Sequence, residues 1–71
     1  MASQEERLPT GGDRLLTLKA VADRTTLSKS AIKRMVREGE FVVPLRLSAR
    51  RVAWRESEVL KFIESRPRAQ S

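Results

Sequence analysis

Residues 28–39 read SKSAIKRMVREG, and this stretch decides the fold. Ser28 is a helix N-cap, because its hydroxyl can accept from the backbone N–H two or three residues on. Gly39 is suited to a left-handed cap at the other end. At roughly 100° per residue, Ala31, Ile32, Met35 and Val36 fall on one arc. Lys29, Ser30, Lys33, Arg34 and Arg37 fall on the arc opposite. One face is therefore core, and the other is basic and holds no acid.

N-terminal to this helix, a periodic segment runs from Leu15 to Leu27. Thr17 is its N-cap, and Leu18, Val21 and Ala22 form a one-sided apolar stripe about two turns long. The β-branched pair Thr25-Thr26 disfavours continuation, and Leu27 plugs the turn. C-terminal to it, Leu45-Arg46-Leu47 and Val52-Ala53-Trp54 alternate, with Ser48-Ala49-Arg50-Arg51 between them. That predicts a β-hairpin with a basic tip, Val52 and Trp54 sharing a face. The tip has no Gly, which argues against the tightest two-residue turns. Arg55 to Ser65 is a third helix, with Glu56 and Glu58 in its first turn and an inward stripe of Val59, Phe62 and Ile63. Leu60 lies beside that stripe and Pro67 just beyond the helix.

The chain has 71 residues, room for one small domain. Residues 1–13 are expected as a flexible N-terminal arm, 14–65 as the folded domain and 66–71 as a C-terminal tail. Cysteine and histidine are absent. Disulfides, thiolate or imidazole metal sites and catalysis by either residue are excluded. No apolar run is long enough for a membrane span or a secretory signal, so a cytoplasmic protein is expected. The net charge is +6, and the window from Ser28 to Arg55 carries all of it, with eight basic residues against two acids. A basic excess confined to one window suggests one face built for an anionic partner.

The order helix, tight turn, basic-faced helix, basic-tipped hairpin, helix predicts a mainly α domain with a small β-hairpin, a winged helix-turn-helix. The second helix of such a motif enters the major groove, and the wing reaches the adjacent minor groove or its phosphate rim. Ser28 and Lys29 at the helix N-terminus suit phosphate contact. Ser30, Lys33 and Arg34 are the candidates for base edges, and Arg37 for the backbone. Arg50 and Arg51 are wing-tip candidates, joined by Ser48, with Arg46 as a flanking phosphate contact. The alternative for each cation is a solvated surface, with Glu38 neutralising Arg34 at i+4. Trp54 reads as the core anchor under the wing rather than a base-stacking residue. One Trp, two Phe and no Tyr leave no aromatic platform for single strands.

The stretch from Leu15 to Arg66 resembles the AlpA-type regulators and related small excisionases of prophages and integrative elements. The matching pieces are "LKAVA", "LSKSAIKRMVREGEF", "PLRL", "RRVAWRESEV" and "FIESR", of which Val52 to Val59 is the most specific. The resemblance implies a MerR-like winged helix-turn-helix that binds double-stranded DNA. By motif match, Ser28, Ser30, Lys33 and Arg34 align with the recognition helix and Arg50 and Arg51 with the wing. The chain departs from the pattern in four places. Thr26 stands where Gly usually precedes the Leu of the turn, and Lys33 where an aromatic often sits. Val42 and Val43 separate Phe41 from Pro44, and Ser48-Ala49 stands where the wing often carries Gly.

The expected function is non-enzymatic and sequence-specific, with no cofactor and no metal. The chain is expected to be an excisionase, a recombination directionality factor that binds and bends attachment-site DNA for a tyrosine integrase. Its small size favours this architectural role, with several copies self-associating on DNA. One alternative is an AlpA-type transcriptional regulator of element genes. Another is a protein-interaction module docking on an integrase or repressor. An enzyme is disfavoured, since no paired carboxylates or Gly-rich phosphate loop occur and the apolar residues are all needed for the core. The expected setting is the bacterial cytoplasm, with the protein on the nucleoid when bound.

Overall fold

From the N-terminus the chain forms β1 (Leu15–Leu16), α1 (Leu18–Thr25), α2 (Lys29–Arg37), β2 (Leu45–Arg46), β3 (Val52–Arg55) and α3 (Glu56–Glu64). The computed structural model describes residues 13–69. The expected arm lies outside them except for Asp13, and the expected tail except for residues 66–69. Three helices and a small antiparallel sheet make the mainly α, winged helix-turn-helix arrangement that the sequence predicts.

Local chemistry sets each boundary. The Thr17 hydroxyl accepts the Ala20 N–H at 3.1 Å and starts α1. Thr26 ends it in the left-handed region, φ 67°, with its N–H on the Ala22 carbonyl at 2.8 Å. The Thr25 hydroxyl donates to the Val21 carbonyl at 2.9 Å and accepts the Leu27 N–H at 3.2 Å, which fixes the turn into α2. Ser28 caps α2 by accepting the Ala31 N–H at 3.0 Å. At the far end, the Gly39 N–H reaches the Val36 carbonyl at 3.1 Å and the Glu40 N–H reaches Met35 at 2.7 Å. This is a Schellman closure, with Gly39 at φ +76° as its left-handed residue.

Thr26 is the single non-glycine residue at positive φ among those described. A β-branched side chain there crowds its own backbone, at a cost of about 1–2 kcal/mol. Thr26→Gly removes that crowding but adds unfolded-chain entropy of about 0.5–1 kcal/mol. The variant should gain about 0.5–1 kcal/mol net, raising the midpoint of thermal unfolding by a few degrees. A lowered midpoint would show that the threonine hydroxyl contributes more than its conformation costs.

The sheet order is β1-β3-β2. Leu16 lies opposite Trp54 and Leu15 opposite Arg55; Leu45 lies opposite Ala53 and Arg46 opposite Val52. The first strand is an addition to the sequence reading, which began a periodic segment at Leu15, capped its helix at Thr17 and expected no strand ahead of it. Two residues carry no recognisable period, and β1 exists only because β3 offers it a free edge. Burial on β3 also differs from expectation. Ala53 and Trp54 are both buried and Val52 is half-buried, because β3 is the middle strand and packs against both α1 and α3. Arg55, expected as the first residue of the third helix, is the last residue of β3.

The Arg55 side chain does not cap α3; Asp13 does so from 44 residues away. Its carboxylate accepts the Ser57 N–H at 3.2 Å and the Arg55 guanidinium at 3.4 Å, while the Glu56 N–H donates to the Arg14 carbonyl at 2.8 Å. The Ser57 N–H, helped by Arg55, holds the Asp13 carboxyl below its ordinary value of 3.8. A carboxyl depressed in the folded state contributes stability above its unfolded pKa and loses it as pH falls through the folded value. Unfolding titrations below pH ~4 should therefore show acid destabilisation that Asp13→Asn reduces. Identical acid limbs for the two proteins would mean that the cap carries no charge dependence.

The core is one cluster of Leu16, Val21, Ile32, Phe41, Trp54 and Val59. The Phe41 ring meets Trp54 and Phe62 edge-on, with centroids 6.3 and 4.5 Å apart. The Trp54 indole N–H donates to the Val42 carbonyl at 2.8 Å, satisfying its one polar atom. Every aromatic residue of the chain is thus held inside or against the core.

Candidate nucleic-acid interface

On α2 the apolar arc points inward, with Ile32 fully buried and Ala31, Met35 and Val36 partly so. The opposite arc, Lys29, Ser30, Lys33, Arg34 and Arg37, is exposed, and so is the N-cap Ser28. The Ser28 oxygen is engaged by the cap, which leaves its O–H free to donate. The N–H groups of Lys29 and Ser30 precede the first intrahelical bond and face outward at the positive end of the helix dipole. An anion is favoured there.

The wing is braced by its own groups. Leu47 and Ser48 both donate backbone N–H to the Arg51 carbonyl, at 2.8 and 3.2 Å. The Arg50 N–H donates to the Ser48 hydroxyl at 3.4 Å. The Arg46 guanidinium folds onto the tip, donating to the Ala49 carbonyl at 3.2 Å and the Ser48 carbonyl at 3.5 Å. Thus Arg46 and Ser48, candidates for DNA contact from the sequence, hold the turn together. Arg50 and Arg51 project from it, exposed. This network does the work that a tip glycine does in a tighter turn.

α2 and the wing adjoin. Lys33 borders a cleft of about 170 Å3 whose other walls are Leu18, Val36, Pro44, Val52 and Trp54. The Lys33 stem covers apolar surface between helix and wing while its ammonium stays in water. Its position at the joint was not apparent from helix periodicity, because the cleft forms only after β2 and β3 pair.

The ion pairs among the described residues are Lys19–Asp23 at 3.3 Å, Arg24–Glu56 at 2.6 Å and Arg55–Asp13 at 3.4 Å. All involve α1, the strand end or α3. Among the described residues, Lys29, Lys33, Arg34, Arg37, Arg50 and Arg51 have no acidic partner, and Glu38 does not neutralise Arg34. The helix face and the wing tip therefore carry positive charge that no ion pair among the described residues offsets. No helix among the described residues is long and apolar enough to cross a membrane.

No curated protein and no solved structure matches the chain. Residues 14–67 match the family described as prophage CP4-57 regulatory protein (AlpA). That match covers about three quarters of the sequence and takes in the capped α2, the braced wing and α3. The chain belongs to the AlpA family of prophage regulatory proteins.

Proposed function

We propose that the protein is a non-enzymatic, sequence-specific binder of double-stranded DNA. In this reading α2 lies in the major groove and the wing contacts the minor groove or its rim, the MerR-like mode of docking. The observation that carries the reading is the set of six exposed cations on α2 and the wing tip, none of them in an ion pair among the described residues. The whole net charge of +6 falls within residues 28–55, the window that builds this face. Within the prophage regulatory family, the finer assignment is an excisionase that binds and bends attachment-site DNA for a tyrosine integrase, several copies assembling side by side. Transcriptional regulation of element genes is the alternative within the same DNA-binding mode.

The test is a gel shift of pure protein on attachment-site and promoter fragments of its element, with unrelated duplex as competitor. Stepwise cooperative bands on the attachment site support the excisionase; a single tight complex at the promoter supports the transcriptional regulator. Equal binding to competitor refutes sequence-specific recognition. A second reading, docking on an integrase or repressor, draws on an apolar groove of about 310 Å3 lined by Leu27, Met35, Phe62 and Ile63, with Arg24 and Arg66 at its edge. Absence of any DNA complex without a partner would favour it.

The wing has its own signature. With about five phosphate contacts, log K against log salt should have a slope near about −4.5. The double variant Arg50→Ala, Arg51→Ala should flatten that slope by about 1.8. An unchanged slope would remove the wing tip from the interface.

A further inference from the structure

The wing carries one side chain that charge does not explain. Leu47 is 51% exposed, in a segment whose other long side chains are Arg46, Arg50 and Arg51 and which holds no acid. Register separates it from the core: Leu45, on the same face, lies against Ala53, but Leu47 is beyond the last β2 residue. Its backbone is nevertheless fixed. The Leu47 N–H is held by the Arg51 carbonyl, and the next two carbonyls are held by the Arg46 guanidinium. An apolar side chain on a rigid, wholly cationic tip matches a surface that is anionic at its rim and apolar within. The minor groove has that character, with phosphates on its edges, sugar carbons as walls and stacked bases at its floor.

We infer that Leu47 is an apolar wedge of the wing, packing on the sugar walls of the minor groove and loosening the base step beneath it. The inference rests on the DNA-binding reading and extends it to how the duplex is deformed. Bracing of the tip means that little ordering entropy remains to oppose insertion. Arg50 and Arg51 hold the phosphates on either side, and the wedge opens the step so that the duplex bends away from the wing. Flexible pyrimidine–purine steps resist such opening least, so the wedge would also set a sequence preference at a position read by no hydrogen bond.

The experiment uses the full chain and a duplex selected by the wild-type protein from a random pool. The duplex carries end-attached fluorophores to report bending and 2-aminopurine at successive positions to report unstacking. Leu47→Ser should keep the thermal midpoint and the salt slope, since it removes neither core packing nor a phosphate contact. It should bind the selected duplex about ten- to a hundredfold more weakly. It should also lose the end-to-end shortening and the 2-aminopurine signal, both of which Leu47→Phe should retain. Wild-type bending, unstacking and affinity in Leu47→Ser would overturn the wedge. So would a loss accompanied by a flatter salt slope or a lower midpoint, since Leu47 would then act by holding the wing in place. Failure of the wild type to select any duplex would instead remove the DNA-binding reading, and the wedge with it.

Discussion

Trp54→Ala is expected to unfold most of the protein. Trp54 is 3% exposed in the middle strand, opposite Leu16 and edge-on to Phe41. It belongs to a core cluster of six buried residues, so no second layer compensates for its loss. Truncating a buried Trp costs about 3–5 kcal/mol, and a domain of this size has little more than that in hand. The loss also strands the Val42 carbonyl, which accepts the indole N–H at 2.8 Å. Circular dichroism with urea titration should show a largely unfolded variant at 25 °C. Trp54→Phe separates the two causes: it retains a ring but leaves Val42 without its donor, at about 1–3 kcal/mol. A Trp54→Ala protein that stays folded and loses only DNA affinity would mean that the ring reads bases rather than anchors the wing.

How much of this architecture was legible in the sequence depends on whether the deciding signal is local. Ser28, Gly39 and the apolar arc of α2 lie within twelve residues, and the caps they predict are those observed. Thr17 as the α1 cap and the alternation around the wing are equally local. What escaped was non-local. β1 needs the edge of β3, and the cap of α3 comes from Asp13, 44 positions before Ser57 in the chain. Ala53 reads as an outward position until β3 is known to be the middle strand. The candidate interface follows the same rule. That Lys29, Lys33, Arg34 and Arg37 share an exposed face follows from helix geometry alone. That they form no ion pair does not, because Glu38 stands at i+4 from Arg34 and only the fold leaves the two unpaired. Likewise the bonds from the Arg46 Nη1 to the tip carbonyls follow from the fold of the wing and not from composition.

Arg34→Ala tests the recognition face most sharply. Arg34 is exposed on α2, one residue beyond the Lys33 joint with the wing and without an acidic partner among the described residues. Its planar fork of donors matches the two acceptors that guanine shows in the major groove, a pairing worth about 1–3 kcal/mol of discrimination. The variant should therefore bind the selected duplex about five- to 150-fold more weakly and accept base changes at one position that the wild type rejects. Removing one exposed side chain from the solvated arc should leave the unfolding midpoint unchanged. Arg34→Lys supplies the finer cut, because an ammonium keeps the charge but cannot form the fork. It should restore most of the salt slope while leaving the base preference relaxed. Arg37→Ala should behave differently, weakening all duplexes alike, since a backbone contact carries no sequence information. If Arg34→Ala also weakens every sequence by the same factor, the two arginines share one role. Base reading would then fall to Ser30 and Lys33, the other base-edge candidates of that arc.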